Sequence, residues 1–205
     1  MKTEIMRADH PIAFTHAADI LNHGGLVAFP TDTVYGLATL PFQEEYIERL
    51  YIAKGRNSDR AIAVLLGDYN QLEQVARDIG ETARRWAQAF WPGPLTLIVP
   101  GNDSIPKILS PAPTIGVRIP DHPVALSLLR LVGPLAVTSA NLSGQANTNT
   151  AQEVYDQLEG RIHLILDGGR SPGGVPSTVV ECTTAEPVIL RQGPLSLEDL
   201  MRKLR

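Results

Sequence analysis

Hydroxyls, amides and cations recur in this chain at the ends of apolar runs. Thr31 and Thr33 flank Asp32 directly after Leu26-Val27-Ala28-Phe29-Pro30, with Tyr35 and Gly36 close behind. Lys54 and Arg56 open a charged, polar stretch that ends at Arg60 and precedes the apolar run Ala61 to Leu66. Arg118 follows Val117, Ser139 and Asn141 follow Leu135-Ala136-Val137-Thr138, Ser177 and Thr178 open another run, and Arg191 follows Val188-Ile189-Leu190. Each alone has a plain structural reading. Ser, Thr and Asn cap helices, a Lys-x-Arg run is usually a solvated loop, and an arginine at a strand end guards an edge. For Thr31 to Thr33 two readings stand. One is the ligand-facing end of a buried strand, where open α/β sheets bind their ligands. The other is a strand-to-helix turn in which Asp32 or Thr33 caps the next helix. Taken together, the residues suit an anionic ligand, because arginine forks match phosphate and carboxylate bidentately and lysine adds a point charge.

Several familiar chemistries are missing. There is no Gly-x-x-x-x-Gly-Lys-Ser/Thr phosphate loop, no Gly-x-Gly-x-x-Gly after a strand, and no Gly-x-Ser-x-Gly nucleophile elbow. His10, His16, His23, His122 and His163 are scattered without metal-ligand spacing and read as surface or satisfied side chains. The single cysteine, Cys182, follows an apolar run and reads as a buried structural thiol. An enzyme built from this set works by binding and electrostatics more than by a covalent nucleophile.

The elements that must position these residues alternate along the chain. Helical spacing predicts helices over 11–23, 43–53, 70–77, 81–90, 122–132, 151–159 and 196–204. Apolar β-rich runs predict strands over 26–29, 61–66, 96–99, 114–119, 135–138, 162–166, 178–182 and 187–190. Trp91-Pro92-Gly93-Pro94 forces a break. This is the pattern of an α/β sheet covered by helices. Nothing divides the 205 residues, so a single domain over residues 1–205 is expected.

Composition narrows the partners. Apolar residues make up 43% of the chain, enough for a substantial core, and the net charge of −4 argues against a protein that coats nucleic acid. One cysteine excludes an intrachain disulfide and fits a reducing compartment. The polar first ten residues lack a signal-peptide core, and no apolar run approaches the ~20 residues of a membrane span. A cytoplasmic location is expected.

Seven motifs then occur in order: Pro30-Thr31-Asp32-Thr33-Val34-Tyr35-Gly36-Leu37, Lys54-Gly55-Arg56, Trp91-Pro92-Gly93-Pro94-Leu95-Thr96, Val117-Arg118-Ile119-Pro120, Thr138-Ser139-Ala140-Asn141-Leu142-Ser143-Gly144, Ser177-Thr178-Val179-Val180 and Leu190-Arg191-Gln192-Gly193. Together they closely resemble the YrdC/TsaC family of threonylcarbamoyl-AMP synthases, over about residues 10–195. The resemblance implies a twisted mixed α/β sheet with flanking helices around a positively charged concave cavity. It implies a reaction in which L-threonine, bicarbonate and ATP, with Mg2+, give threonylcarbamoyl-AMP and pyrophosphate. Partner proteins would then move the threonylcarbamoyl group to tRNA beside the anticodon.

Carried over by position, the resemblance puts Thr31, Tyr35, Arg118, the backbone at Val137 and Ser177 around threonine. It puts Lys54, Arg56, Ser58, Thr114, Ser139, Asn141, Asn147 and Arg191 around ATP. Lys54, Arg56, Ser139 and Asn141 would carry the catalysis. Asn57 and Arg60-Ala61 depart from the proline and Pro-Leu common in relatives, and Glu181 replaces a common aspartate. The chain is expected to be the short form that lacks the extra C-terminal domain of longer relatives. A rival reading is a double-stranded-RNA-binding or ribosome-maturation module of the same fold. Against it stand the acidic charge and the few aromatic side chains: four Phe, five Tyr and two Trp.

Overall fold

The structure, a computed structural model, describes residues 2–58, 60–184 and 186–203. Asp59 of the charged stretch and Leu204 of the expected last helix lie outside the described residues. The strands are β1 (Glu4–Arg7), β2 (Val27–Phe29), β3 (Gly36–Thr39), β4 (Ala63–Leu65), β5 (Leu95–Pro100), β6 (Thr114–Arg118), β7 (Leu135–Ser139), β8 (Leu164–Asp167), β9 (Thr178–Glu181) and β10 (Val188–Arg191). The helices are α1 (Ala13–Asn22), α2 (Glu44–Lys54), α3 (Glu81–Phe90), α4 (Pro123–Val132), α5 (Ala151–Leu158) and α6 (Leu197–Arg202). The strands form one sheet in the order β1-β8-β2-β3-β7-β4-β6-β5-β9-β10. It is mixed: β1/β8, β2/β8, β4/β6 and β5/β9 are parallel, and the other neighbours antiparallel.

Alternation along each strand sends side chains to two different layers. Ala28, Leu37, Val64, Leu97, Ile115, Val117, Ile165 and Val180 join the larger core, under α2, α3, α5 and α6. Trp86 of α3 is fully buried there and donates its indole N–H to the Leu200 carbonyl at 2.9 Å. On the opposite face α1 and α4 pack through Ala13, Ala17, Leu21, Ala125, Leu128 and Leu129 onto Val27, Phe29, Leu164 and Leu166. These two helices cover the β1-β8-β2-β3 half of that face and reach Leu135 and Val137 of β7 and Leu65 of β4. The other half, over β7, β4, β6, β5 and β9, forms the floor of the cavity described below.

Two local expectations are corrected and one element appears that the sequence did not mark. The Thr31–Thr33 segment does not lead into a helix: β2 pairs antiparallel with β3, Val27 opposite Ala38 and Phe29 opposite Gly36, so the segment is the loop of a β-hairpin. The N-terminal residues form β1, which pairs with β8. The stretch expected as a helix over 70–77 is a short 3-10 turn, Tyr69–Gln74, capped by the Asp68 carboxylate. Among the described residues no helix is long and apolar enough to cross a membrane.

Candidate active site

A cavity of about 290 Å³ stands on the uncovered half of the sheet. Its floor is made by alternate residues: Ala63 and Leu65 of β4, Gly116 and Arg118 of β6, Thr96 and Ile98 of β5, Val179 of β9, and Val137 and Ser139 of β7. Their neighbours Val64, Leu97, Ile115, Val117 and Val180 point into the core, whereas Thr138, between Val137 and Ser139, also lines the cavity. The rim comes from the hairpin loop at Thr31 to Gly36, from Arg56 and Ala61, from Asn147, from Pro176 and Ser177, and from Arg191. The charged lining residues, among those described, are three arginines, 56, 118 and 191.

The hairpin loop is ordered by its own hydroxyls. Thr31 Oγ1 donates to the Val34 carbonyl at 2.7 Å and accepts the backbone N–H groups of Thr33 and Val34. With its one proton committed, the 3.0 Å contact to Thr33 Oγ1 has Thr33 as donor. Thr33 in turn accepts from Arg118 Nη1 at 3.0 Å. Arg118 also donates through Nε to the Gly93 carbonyl at 2.9 Å and through Nη2 to Asp32 Oδ1 at 2.5 Å. Burial lowers the Arg118 pKa and Asp32 opposes that shift. Tyr35 donates its hydroxyl to the Gly169 carbonyl at 2.7 Å, and burial pushes its pKa up. Thr31 and Tyr35 therefore shape the wall with hydroxyls already engaged.

Lys54 corrects a further expectation. It is not in a solvated loop but is the last residue of α2, only 3% exposed. Gly55 closes that helix in the left-handed conformation, φ 59°, the usual glycine C-cap. Lys54 Nζ donates to the carbonyls of Ser139 and Asn141, and its own carbonyl accepts the Ser143 N–H at 2.9 Å. Burial, then the neighbouring Arg56, lowers its pKa to about 7. Lys54 thus pins the turn after β7 and does not line the cavity. Asn141 belongs to the same turn, donating to the Leu142 and Gln145 carbonyls at 2.8 and 2.9 Å. Two residues on, Arg56 does reach the cavity. It bonds Thr138 Oγ1 at 2.9 Å and the carbonyls of Arg60 and Ala61.

Arg191 reaches the cavity through a bulge. Ile189 pairs with Val180 and Arg191 with Val179, which leaves Leu190 as the extra residue. The ladder thereby turns Arg191 to the Val179 side, which lines the cavity, and Ile189 to the core. Its guanidinium rests on Ser177, on the carbonyl at 3.1 and 2.9 Å and on Oγ at 3.1 Å, and Ser177 Oγ meets Thr96 Oγ1 at 2.8 Å. Burial, then Arg56, lowers its pKa. Gly193 locks this corner, since a Cβ there would stand 2.3 Å from the Thr178 nitrogen and 2.5 Å from the Ser177 carbonyl carbon. Gly193→Ala is expected to lower stability by about 1–3 kcal/mol, read as a fall in urea midpoint, because backbone cannot step aside as a side chain can.

Of the residues expected at the site, Thr31, Tyr35, Arg56, Arg118, Val137, Ser139, Asn147, Ser177 and Arg191 line this one cavity. Lys54 and Asn141 stand behind it, Ser58 is exposed, and Thr114 lines a separate hollow with Arg77 and Lys107. Among the described residues the side chains of Ser139 and Asn147 make no hydrogen bond to the protein, so their polar capacity remains for a ligand. Sequence reasoning placed Thr33 at the ligand-facing end of a strand but gave neither it nor Asp32, Thr96 or Thr138 the role of holding the arginines and Ser177; the Thr-Asp-Thr and Val-Thr-Ser spellings were the available signal. The histidines read as satisfied include His122, whose Nδ1 accepts the Val124 N–H, and His163, whose Nδ1 accepts the Leu26 N–H. Burial pushes the Cys182 thiol up to about 12, as suits a structural thiol.

Comparison with known proteins gives one family. Residues 19–193 match the Sua5, YciO and YrdC family model, described as "Telomere recombination". The chain is 41% identical over 186 residues, 90% of its length, to the threonylcarbamoyl-AMP synthase of Pyrococcus abyssi. It is 42% identical over 200 residues, 96% of its length, to that of Bacillus subtilis. It covers 55% and 57% of those two relatives, so it spans little more than half their length. The crystal structure of P. abyssi Sua5 complexed with L-threonine superposes with a TM-score of 0.93 at 38% identity, covering 99% of this chain and 60% of that one.

Proposed function

This chain belongs to the Sua5/YciO/YrdC family, and on that premise we propose that it is a threonylcarbamoyl-AMP synthase, condensing L-threonine, bicarbonate and ATP to threonylcarbamoyl-AMP and pyrophosphate. The observation that carries the reading is the cavity itself: three guanidiniums around about 290 Å³, with no carboxylate among the described lining residues. Such a wall suits substrates that all bring negative charge. In this reading Arg118 holds the threonine carboxylate beside Thr31, Tyr35, Val137 and Ser177. Arg56 and Arg191 meet the triphosphate, and Ser139 and Asn147 supply the uncommitted polar contacts. Lys54 and Asn141 act one step back, by fixing the turn that carries Ser139.

The threonine nitrogen bonds to the bicarbonate-derived carbon, and water leaves. The resulting carbamate oxygen attacks the α-phosphorus, and the α–β bridging bond breaks to release pyrophosphate. Fixed cations and in-line placement do the protein's share of this work. Among the described lining residues no carboxylate or imidazole is placed to take the amine proton, so bicarbonate or water takes it. The same residues do not fit a protein-held Mg2+, which needs carboxylate oxygens, and among the described residues no group of three or more His, Cys, Asp or Glu is placed to hold a metal ion. The product would pass to proteins that transfer the threonylcarbamoyl group to tRNA.

The test is to mix the protein with ATP, threonine and bicarbonate, and to look for pyrophosphate and the adenylate by mass spectrometry. ATP consumption that does not depend on threonine would overturn the reading. Substrate choice gives a second expected result. Serine lacks only the threonine methyl and should turn over about ten- to two-hundredfold less efficiently, the worth of one small apolar contact. Valine leaves the polar partner of the hydroxyl unpaired and should be rejected more strongly. With Thr31 committed to its own loop, that partner is sought at Ser139 or Ser177. Pyrophosphate release with valine equal to that with serine would show that no protein group reads the hydroxyl.

A further inference from the structure

Asp32 stands behind the cavity wall, yet its carboxylate holds the most enclosed cation there. Its Oδ1 accepts from Arg118 Nη2 at 2.5 Å and from the Asp121 N–H at 3.0 Å, tying the hairpin loop to the turn after β6. The two side chains are 6% and 12% exposed. Arg118 has five N–H donors, and three are engaged, on Gly93, Thr33 and Asp32. Among the described residues one N–H on each Nη remains without a partner. Two donors on neighbouring nitrogens match the two oxygens of a carboxylate. The charge is matched as well. Arg118 arrives at the cavity already half-neutralised by Asp32, whereas the bonds of Arg191 go to the neutral Ser177. A triphosphate, with several charges close together, is repelled by a nearby carboxylate far more than a single carboxylate is.

We propose that Asp32 sorts the two anionic substrates: it reserves Arg118 for the monoanionic carboxylate of the amino acid and turns the triphosphate toward the other guanidiniums. Asp32 is a positioning residue in this role, because it acts through Arg118 and not on the substrate. The inference rests on the threonine and ATP reading above.

The experiment is a calorimetric titration of L-threonine into the full chain, alone and in saturating inorganic triphosphate, which separates binding from turnover. In the unaltered protein triphosphate should leave the threonine Kd within about threefold, and in Asp32→Asn it should raise that Kd about tenfold or more, because the charge that keeps the polyanion off Arg118 is gone. Asp32→Glu keeps the charge and should restore the unaltered behaviour. A merely structural aspartate would weaken threonine binding equally with and without triphosphate, and that result would overturn the proposal. So would triphosphate competing with threonine in the unaltered protein, a measurement that needs no variant to fold. If the unaltered protein binds no threonine at all, the substrate reading falls first and this inference with it.

Discussion

Arg118→Ala is expected to lower the unfolding free energy by about 3–5 kcal/mol and to abolish threonine-dependent pyrophosphate release. The first effect follows from burial: removing one member of a nearly enclosed ion pair leaves Asp32 with an uncompensated charge. The Gly93 carbonyl and Thr33 Oγ1 lose their donor at the same time. Urea unfolding of the variant checks it, and a curve that overlays the parent's would rule out a structural share for this arginine. Arg118→Lys separates the roles. An ammonium keeps the charge for Asp32 but has no planar fork, so stability should recover in part while the threonine KM stays raised far more than the ATP KM. Equal changes in both constants would instead mark Arg118 as purely structural.

Lys54→Met should reduce adenylate formation by about a hundredfold or more, although the side chain is absent from the cavity wall. The methionine fills similar volume but leaves the Ser139 and Asn141 carbonyls without their donor, at about 1–3 kcal/mol each. The turn that carries Ser139 then shifts, and displacement on the order of 1 Å in a site that works by placement costs about two decades in rate. The pH dependence identifies the cause. In the folded protein Lys54 titrates near 7 because of burial and Arg56, well below its ordinary 10.5. Between those values the unfolded chain binds the extra proton, so stability should rise with pH across the window, and the burial penalty is present in full below it. Lys54→Met should lack that rise. Parallel Tm profiles for the two proteins between pH 7 and 10 would contradict the buried-amine account.

Most of the layered architecture was legible because strands buried on both faces leave continuous apolar runs and amphipathic helices leave periodic ones. The apolar runs that predicted 61–66, 96–99, 114–119 and 135–138 as strands also carry the cavity floor, since Gly116 and Arg118 share one face while Ile115 and Val117 share the other. What escaped was set by tertiary pairing. β1 carries Glu4 and Arg7 on an exposed edge, so its sequence has no apolar period; it is a strand because β8 pairs with it. β3 begins at Gly36, a weak strand former, and forms because it lies between β2 and β7. At the site, residue type showed which side chains could meet an anion but not which were already engaged. Thr31 looks like Ser139 in sequence, and only folded geometry shows that the Thr31 hydroxyl is committed to its own loop; Lys54 looks like Arg56, and only folded geometry shows that the second lines the cavity while the first stands behind it.

Arg191 was the residue that strict alternation would have misplaced. Ile189 and Arg191, two apart, belong on one side of a regular strand, and β10 puts them on opposite sides by letting Leu190 drop out of the ladder. That arrangement bears on how the chain tolerates change in length. A chain lacking Leu190 would run Ile189 straight into Arg191 across from Val180 and Val179, with the arginine still over the cavity. A chain that kept Leu190 but lost the bulge would turn the arginine into the core and offer the cavity a leucine. Shortening this segment by one residue is therefore the benign change, and straightening it at constant length is the ruinous one.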